Sequence, residues 1–209
     1  DLHNTRSGRN FWVAIDGHGA WSATGNSAPQ IAGQFEDDEQ VSLQAGPLWH
    51  RITRQADQIG LRAEITSFVP LNWHRVELMK VTLTNISGQP LGLTPTAAVP
   101  LYGRSADNLR DHRHVTSLLN RVSTSAHGVT LRPVLSFDER GHLPNTVAYS
   151  VLGVEEGGTA PVGFFPTQED FIGEGGCLEW PGAVVQDEAP QAVAGEQFEG
   201  RECVGGLRF

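Results

Sequence analysis

Hydrophobic and polar residues alternate along much of this chain with a period of two residues. Residues 61–69 (LRAEITSFV) show the pattern clearly, and residues 77–84 repeat it with Met79, Val81 and Leu83 on one face. Because successive side chains of a β-strand point to opposite sides, this pattern predicts strands with one buried face. The dominant element of the fold is therefore expected to be the β-strand.

Further strands are predicted on both sides of these two, and turn residues separate them. Residues 85–90 (NISGQP) are one such turn, since glycine allows positive φ and proline cannot continue a central strand. A helical pattern is indicated only around residues 186–198. Many short strands at near-regular spacing predict an antiparallel sandwich or barrel. The other predicted strands cover residues 11–15, 20–24, 49–54, 91–96, 97–102, 115–122, 129–137, 146–154 and 162–165.

Length and charge narrow the classes of protein that fit. The chain has 209 residues, enough for one large domain, and no linker or internal repeat divides it. Lys and Arg number 15 against 24 Asp and Glu, so the net charge of −9 disfavours a nucleic acid or an anionic membrane as partner. No segment approaches the about 20 apolar residues of a membrane-spanning helix. Two cysteines are too few for a disulfide framework, which favours a reducing, cytoplasmic location.

Positive charge in this acidic chain is concentrated in one stretch. The guanidinium groups of these arginines could bind carboxylates, phosphates or sugar hydroxyls. The alternative interpretation is a cluster of ion pairs on the surface. His112 and His114 would share one face of a strand, but a metal site needs three or four ligands, so we interpret them as structural or substrate-contacting. The candidate substrate-binding residues are Arg110, His112, Arg113, His114 and Arg121.

The remaining polar patterns favour structural roles. The acidic run at residues 36–39 (EDDE) is interpreted as a solvated loop rather than a calcium site. Calcium is coordinated by oxygen ligands from spaced positions, whereas these four residues are consecutive. Residues 173–176 (GEGG) lack the Lys-Ser/Thr of a phosphate-binding loop and predict a tight turn. Trp12 and Trp21 flank a turn and are predicted to be core or interface residues rather than sugar-stacking platforms. Because no nucleophile motif or marked acid–base pair is present, no catalytic residue is assigned. No metal site is assigned either, because no second histidine pair accompanies His112 and His114.

Several segments resemble one known family. Residues 11–25 (FWVAIDGHGAWSATG) are similar to the opening of the N-terminal sandwich domain of glycoside hydrolase family 94, the cellobiose-type phosphorylases once grouped as glycosyltransferase family 36. Residues 63–70 (AEITSFVP) and 81–90 (VTLTNISGQP) resemble a strand and a hairpin of that domain. Residues 171–173 (FIG) with 178–184 (LEWPGAV) resemble one of its loops. The likeness follows the order of the family's own segments.

The resemblance implies a fold and a reaction. Residues 1–209 are expected to form one large antiparallel β-sandwich, the galactose mutarotase-like super-sandwich. The parent enzyme would cleave β-glucosides with inversion, using inorganic phosphate as co-substrate and no cofactor, and release α-glucose 1-phosphate. Residues 110–121 (RDHRHVTSLLNR) look most like the phosphorylases that act on β-1,2-linked oligoglucans.

The resemblance also implies where the chemistry and the partners lie. The family's general acid stands on an (α/α)6 barrel that is not among these residues, so we expect a fragment of a longer enzyme that is inactive by itself. The implied partners are a β-glucan oligosaccharide, the catalytic barrel of the same protein and a second copy in a homodimer. The five tryptophans leave a free-standing carbohydrate-binding module as the alternative.

Overall fold

The computed structural model describes residues 8–34, 38–103, 117–138 and 141–209. These residues form mostly strands, with a few helices of about one turn, so the predicted all-β fold is confirmed. The strands are β1 (Asn10–Ile15), β2 (Gly19–Ser22), β3 (Glu39–Gly46), β4 (Trp49–Ala56), β5 (Leu61–Phe68), β6 (Leu78–Asn85), β7 (Leu93–Leu101), β8 (Asn120–Ser125), β9 (Gly128–Pro133), β10 (Leu135–Asp138), β11 (Gly141–Pro144), β12 (Tyr149–Leu152), β13 (Gly163–Thr167), β14 (Gln197–Glu199) and β15 (Cys203–Arg208). The helices are α1 (Ala28–Ile31), α2 (Gln168–Ile172) and α3 (Gly182–Val185).

The strands form antiparallel sheets. Sheet A has the order β13-β15-β7-β1-β2 and combines strands that are far apart in sequence. Sheet B is a meander in the order β3-β4-β5-β6, and sheet C has the order β12-β9-β8-β14. Strands β10 and β11 form a separate two-stranded ribbon. Every paired neighbour runs antiparallel, as the short strands and tight turns predicted.

The main core lies where one face of sheet A meets sheets B and C. The residues that point into this core alternate along the contributing strands, so the period of two in the sequence is the period of contact with this core. Met79, Val81 and Leu83 pack against this core from β6, which confirms their predicted shared face. The strands contribute Phe11, Val13 and Ile15 from β1, Leu61, Ala63 and Ile65 from β5, and Val122, Val129 and Leu131 from β8 and β9.

Two short helices cover the opposite face of sheet A. Trp12, Phe165 and Phe171 are all fully buried there, and the rings of Phe165 and Phe171 meet edge to face at 5.9 Å. Helix α2 begins at Thr167, whose hydroxyl accepts the amide hydrogen of Asp170 at 3.1 Å. Because sheet A is covered on both faces, all residues of β1 and β15 are buried. Apart from the polar Asn10 and Arg208 at one end of each strand, their sequences are apolar or small rather than alternating.

Several predicted elements differ from the structure. The helix expected around residues 186–198 is wrong, because α3 ends at Val185 and the chain turns through Asp187 at a positive φ of 47° before β14. The two strands expected over residues 91–102 form the single strand β7. The strand expected over residues 129–137 is divided into β9 and β10 around Val134.

The interpretation of the acidic run as a solvated loop is wrong for Glu39. This residue begins β3, and its side chain is only 5% exposed. Its carboxylate forms an ion pair with Arg54 and accepts the indole hydrogen of Trp21 at 2.6 Å. The amide of Gln30 donates to the same carboxylate at 2.9 Å, so the charge is fully partnered. This network joins β2, α1, β3 and β4 at one corner of the sandwich.

Candidate functional site

The predicted substrate-binding stretch is described only at its end. Arg110, His112, Arg113 and His114 lie outside the described residues. Arg121 is described, and it is the second residue of β8 in sheet C. Its side chain lies on the outer face of the sheet, while its neighbour Val122 points into the core. The outer face of sheet C is therefore the part of the predicted site that the structure locates.

Arg121 makes several polar contacts at the start of β8. Its Nε lies 3.4 Å from Oε1 of Glu199, the residue directly opposite on β14. Its Nη1 donates to the carbonyl oxygens of Asn120 at 2.9 Å and Leu118 at 3.2 Å. The side chain of Arg121 is 41% exposed, so these contacts leave part of it open to a ligand. Arg121 thus stabilises the backbone at the start of β8 and also presents a positive charge to solvent.

A second arginine stands beside Arg121, and sequence reasoning missed it. Arg132 on β9 lies directly opposite Arg121, and it is exposed with no ion pair in the part of the chain that the structure describes. Two like charges facing each other across a ladder repel, and Glu199 on the other side of Arg121 offsets part of this repulsion. The signal was available, because a turn at residues 126–127 fixes the register of this hairpin.

Hydroxyl groups extend the same face of sheet C. Thr130 on β9 and Ser150 on β12 lie opposite each other, with their hydroxyl oxygens 2.9 Å apart. Ser123 of β8 lies on the same side. Guanidinium donors next to hydroxyls can bind the hydroxyls of a sugar, or a phosphate group, through several parallel hydrogen bonds. We call Arg121, Ser123, Thr130, Arg132 and Ser150 the sheet C face.

An open cleft of about 240 Å³ lies elsewhere, between the β1–β2 turn and the end of α3. Asp16 and Asp187 line it. Asp187 accepts a hydrogen bond from Arg208 at 2.6 Å, and Arg208 also donates to the carbonyl oxygen of Ala183 at 2.9 Å. Because these bonds tie α3 to β15, we interpret the cleft as a packing seam rather than a catalytic site.

The cysteines are both free thiols, and they differ in exposure. Cys177 is exposed, whereas Cys203 is buried in the main core. Burial raises the pKa of the Cys203 thiol to about 12, because a thiolate would lose its hydration there. Cys203 is therefore an inert core residue. Within the described ranges, no three His, Cys, Asp or Glu side chains come together as metal ligands.

Comparison with known families decides what the sandwich is. The family model for the glycosyl hydrolase 94 supersandwich domain matches residues 2–207. The chain belongs to this family. The supersandwich is the non-catalytic domain of the glycosyl hydrolase 94 phosphorylases, so the resemblance seen in the sequence is confirmed at the level of the family. A search of curated proteins finds no match.

The segments that resemble the family in sequence contribute to the packing of the supersandwich domain. Phe171 and the buried pair Ala183 and Val184 form the helical cover of sheet A. Trp12 and Trp21 are buried as predicted, at 0% and 6% exposure. No helix in the described part of the supersandwich domain has the length and apolar character needed to cross a membrane. The assignment to β-1,2-oligoglucan phosphorylases stays a prediction.

Proposed function

We propose that this supersandwich domain serves an inverting β-glucan phosphorylase that acts on β-1,2-linked oligoglucans. The parent enzyme would use inorganic phosphate and release α-glucose 1-phosphate, with its acid catalyst on an (α/α)6 barrel outside residues 1–209. The domain's own role would be to support dimerisation and to shape the entrance for the glucan. The family match over residues 2–207 supports the phosphorylase family, and the likeness of residues 110–121 (RDHRHVTSLLNR) is the ground for proposing the β-1,2 linkage. The free thiols Cys177 and Cys203 support a cytoplasmic location.

The sheet C face supports a role at the glucan entrance. It combines two guanidinium groups with a row of hydroxyls, and it begins where the chain leaves the candidate stretch that ends at Arg121. Neutral glucans bind through many hydrogen bonds rather than one ion pair, and an exposed face of this kind gives modest affinity. Such affinity suits an entrance surface that guides a chain toward a catalytic site elsewhere.

The loop between β5 and β6 supports a contact with the catalytic barrel. Leu71 is 93% exposed and Trp73 is 101% exposed, and nearby Leu48 is 53% exposed. Large apolar side chains clustered on a surface usually mark a protein interface. Covering this loop with the barrel would remove these side chains from water.

Calorimetric titration with sophorooligosaccharides tests the entrance role. We expect weak binding to the wild-type chain and loss of the heat in Arg132→Gln, because this side chain has no competing partner in the described structure. Arg62→Gln is the matched control, since Arg62 is an exposed arginine on a strand of sheet B. Equal binding by both variants would remove the sheet C face from the proposal.

A free-standing carbohydrate-binding module is the second candidate, and exposed tryptophans favour it. Trp49 begins β4 and is 39% exposed, next to Phe68 across the ladder, and Trp73 lies in the loop that follows β5. Aromatic faces can stack on sugar rings. Titration with laminari-, cello- and sophorooligosaccharides discriminates the two candidates. Binding that Trp49→Ala abolishes and Arg132→Gln leaves intact would favour the module.

A further inference from the structure

Strand β3 is an edge strand that the described structure leaves uncovered. It runs for eight residues and pairs with β4 alone in the described sheet. All eight residues are in continuous register with β4, without a bulge. Residues 40–45 are each exposed. One side of β3 therefore offers a straight row of backbone N–H and C=O groups to another strand.

The other sheet edges in the described residues carry features that discourage pairing. Strands β2, β10, β11, β12 and β14 have at most four residues. Strand β13 contains Pro166 and a register shift, and β6 at the far edge of sheet B carries Lys80. Short length, proline, irregularity and lysine all protect an edge from association. Strand β3 has no proline, no lysine and no arginine, so it is the described edge best suited to accept a strand.

The side chains of β3 are sorted onto two faces. Val41 and Leu43 lie on the core side of sheet B, since Leu43 is opposite Ile52 and Ile52 is opposite the buried Ile65. Both are nevertheless exposed, at 53% and 68%, because none of the described residues extends over this edge. Gln40, Ser42 and Gln44 lie on the outer face. The edge thus has one apolar side and one side of uncharged polar residues.

This sequence is complementary to itself in an antiparallel register centred on Ser42. A two-fold axis between two copies keeps core-side faces together, so residues that face each other must have numbers of the same parity. An axis at Ser42 sets Ser42 opposite its own copy and Val41 opposite Leu43. It also sets Gln40 opposite Gln44, where the side-chain amides can hydrogen-bond across the strands. Glu39 then faces Ala45, so no like charges oppose one another.

We propose that β3 pairs antiparallel with β3 of a second copy of this chain, around a two-fold axis at Ser42. The pairing joins two four-stranded sheets B into one continuous sheet and covers the exposed Val41 and Leu43 of both copies. The inference rests on the dimerising role proposed above, and it adds the surface and the register.

Sedimentation velocity on the 209-residue chain tests the association. We expect a monomer–dimer equilibrium that Leu43→Lys weakens by about tenfold or more, because a charge would be buried at the apolar contact. Leu78→Lys is the control on the opposite edge strand β6, and it should leave the equilibrium unchanged. Near-UV circular dichroism verifies that both variants are folded. A wild-type chain that stays monomeric at every accessible concentration overturns the proposal, and so does equal weakening by both variants.

Disulfide trapping tests the register. In a Cys177→Ser background, Ser42→Cys should form a covalent dimer with oxidised glutathione, since two copies of this side chain meet at the axis. Gln40→Cys and Gln44→Cys should each remain monomeric alone and cross-link when mixed. Equal trapping of Ser42→Cys and Gln44→Cys contradicts the register. Neither experiment uses a sugar, so a failed dimer and a failed glucan-binding role give separate results.

Discussion

The buried ion pair between Glu39 and Arg54 gives the most quantitative prediction. Their side chains are 5% and 14% exposed, and Glu39 also accepts hydrogen bonds from Trp21 and Gln30. The substitution Glu39→Gln keeps the shape and removes the charge. It leaves the Arg54 guanidinium buried without a counter-ion, and its Nε already lacks a partner. Breaking a buried pair from one side costs about 3–5 kcal/mol.

Urea denaturation followed by tryptophan fluorescence measures this cost as the loss in free energy of unfolding. The control is Glu64→Gln, which breaks the exposed pair between Glu64 and Arg51. That pair has a 3.5 Å separation and 43% and 41% exposed side chains. It should cost less than about 1 kcal/mol, because water screens it. A loss for Glu39→Gln no larger than the control's would refute the assignment of a buried, coupled pair.

The double variant Glu39→Gln with Arg54→Met sharpens the same test. Removing both charges relieves the unpaired cation, so the double variant should be less destabilised than the sum of the single variants by about 0.5–3 kcal/mol. Arg54 also packs over Gly25, where the absence of a side chain makes room for it, since a Cβ there would lie 2.0 Å from Arg54 Nη2. Additive losses would show that the two residues act independently.

Two further predictions concern the two hydrophobic clusters. Burial raises the pKa of Cys203 from 9.0 to about 12, so the folded state keeps this proton while the unfolded chain loses it. The stability of the wild type should therefore fall relative to Cys203→Ala as pH rises from 9 toward 12, and Ellman's reagent should modify only Cys177 in the native protein. In the helical cover, Phe171→Ala should lower the free energy of unfolding by about 3–5 kcal/mol, because it leaves a cavity against Phe165. Trp73→Ala is its control and should change stability by about 0.5 kcal/mol or less, since this side chain is fully exposed. Equal losses in the two aromatic variants would contradict the described packing.

The alternating strands were predictable from the sequence because one face of each is buried. Strand β5 shows this directly, with Leu61, Ala63 and Ile65 buried and the residues between them more exposed. Strand β3 was not predicted, although its sequence alternates too, because it follows an acidic run. The acidic residues suggested a loop, yet the carboxylate of Glu39 is drawn into the ion pair with Arg54. Only tertiary contacts decide whether such an acidic residue lies in a solvated loop or begins a strand.

Strand β15 shows a second limit of sequence reasoning. It contains Gly205 and Gly206, which weaken any strand prediction. In the fold these glycines allow close approach, since a Cβ on Gly205 would lie 2.4 Å from a methyl carbon of Val151, and one on Gly206 would lie 2.7 Å from the carbonyl oxygen of Phe165. The need for glycine comes from neighbours that are distant in sequence.

The candidate site was predictable in part. Arg121 follows from the local excess of positive charge, and the structure places it on the outer face of sheet C. Arg132 belongs beside it only because the β8–β9 hairpin sets residue 121 opposite residue 132. Charge along the chain identifies a cationic stretch, whereas the register of a hairpin determines which charges share a surface.

The central claim is that this supersandwich domain supports a phosphorolysis carried out by another part of the enzyme. The most direct measurement is the release of α-glucose 1-phosphate when the purified 209-residue chain is incubated with sophorooligosaccharides and inorganic phosphate. We expect no release above the enzyme-free control, even at high protein concentration. Glucose 1-phosphate formed in proportion to the amount of chain would contradict the account, because it would place a complete catalytic site within these residues.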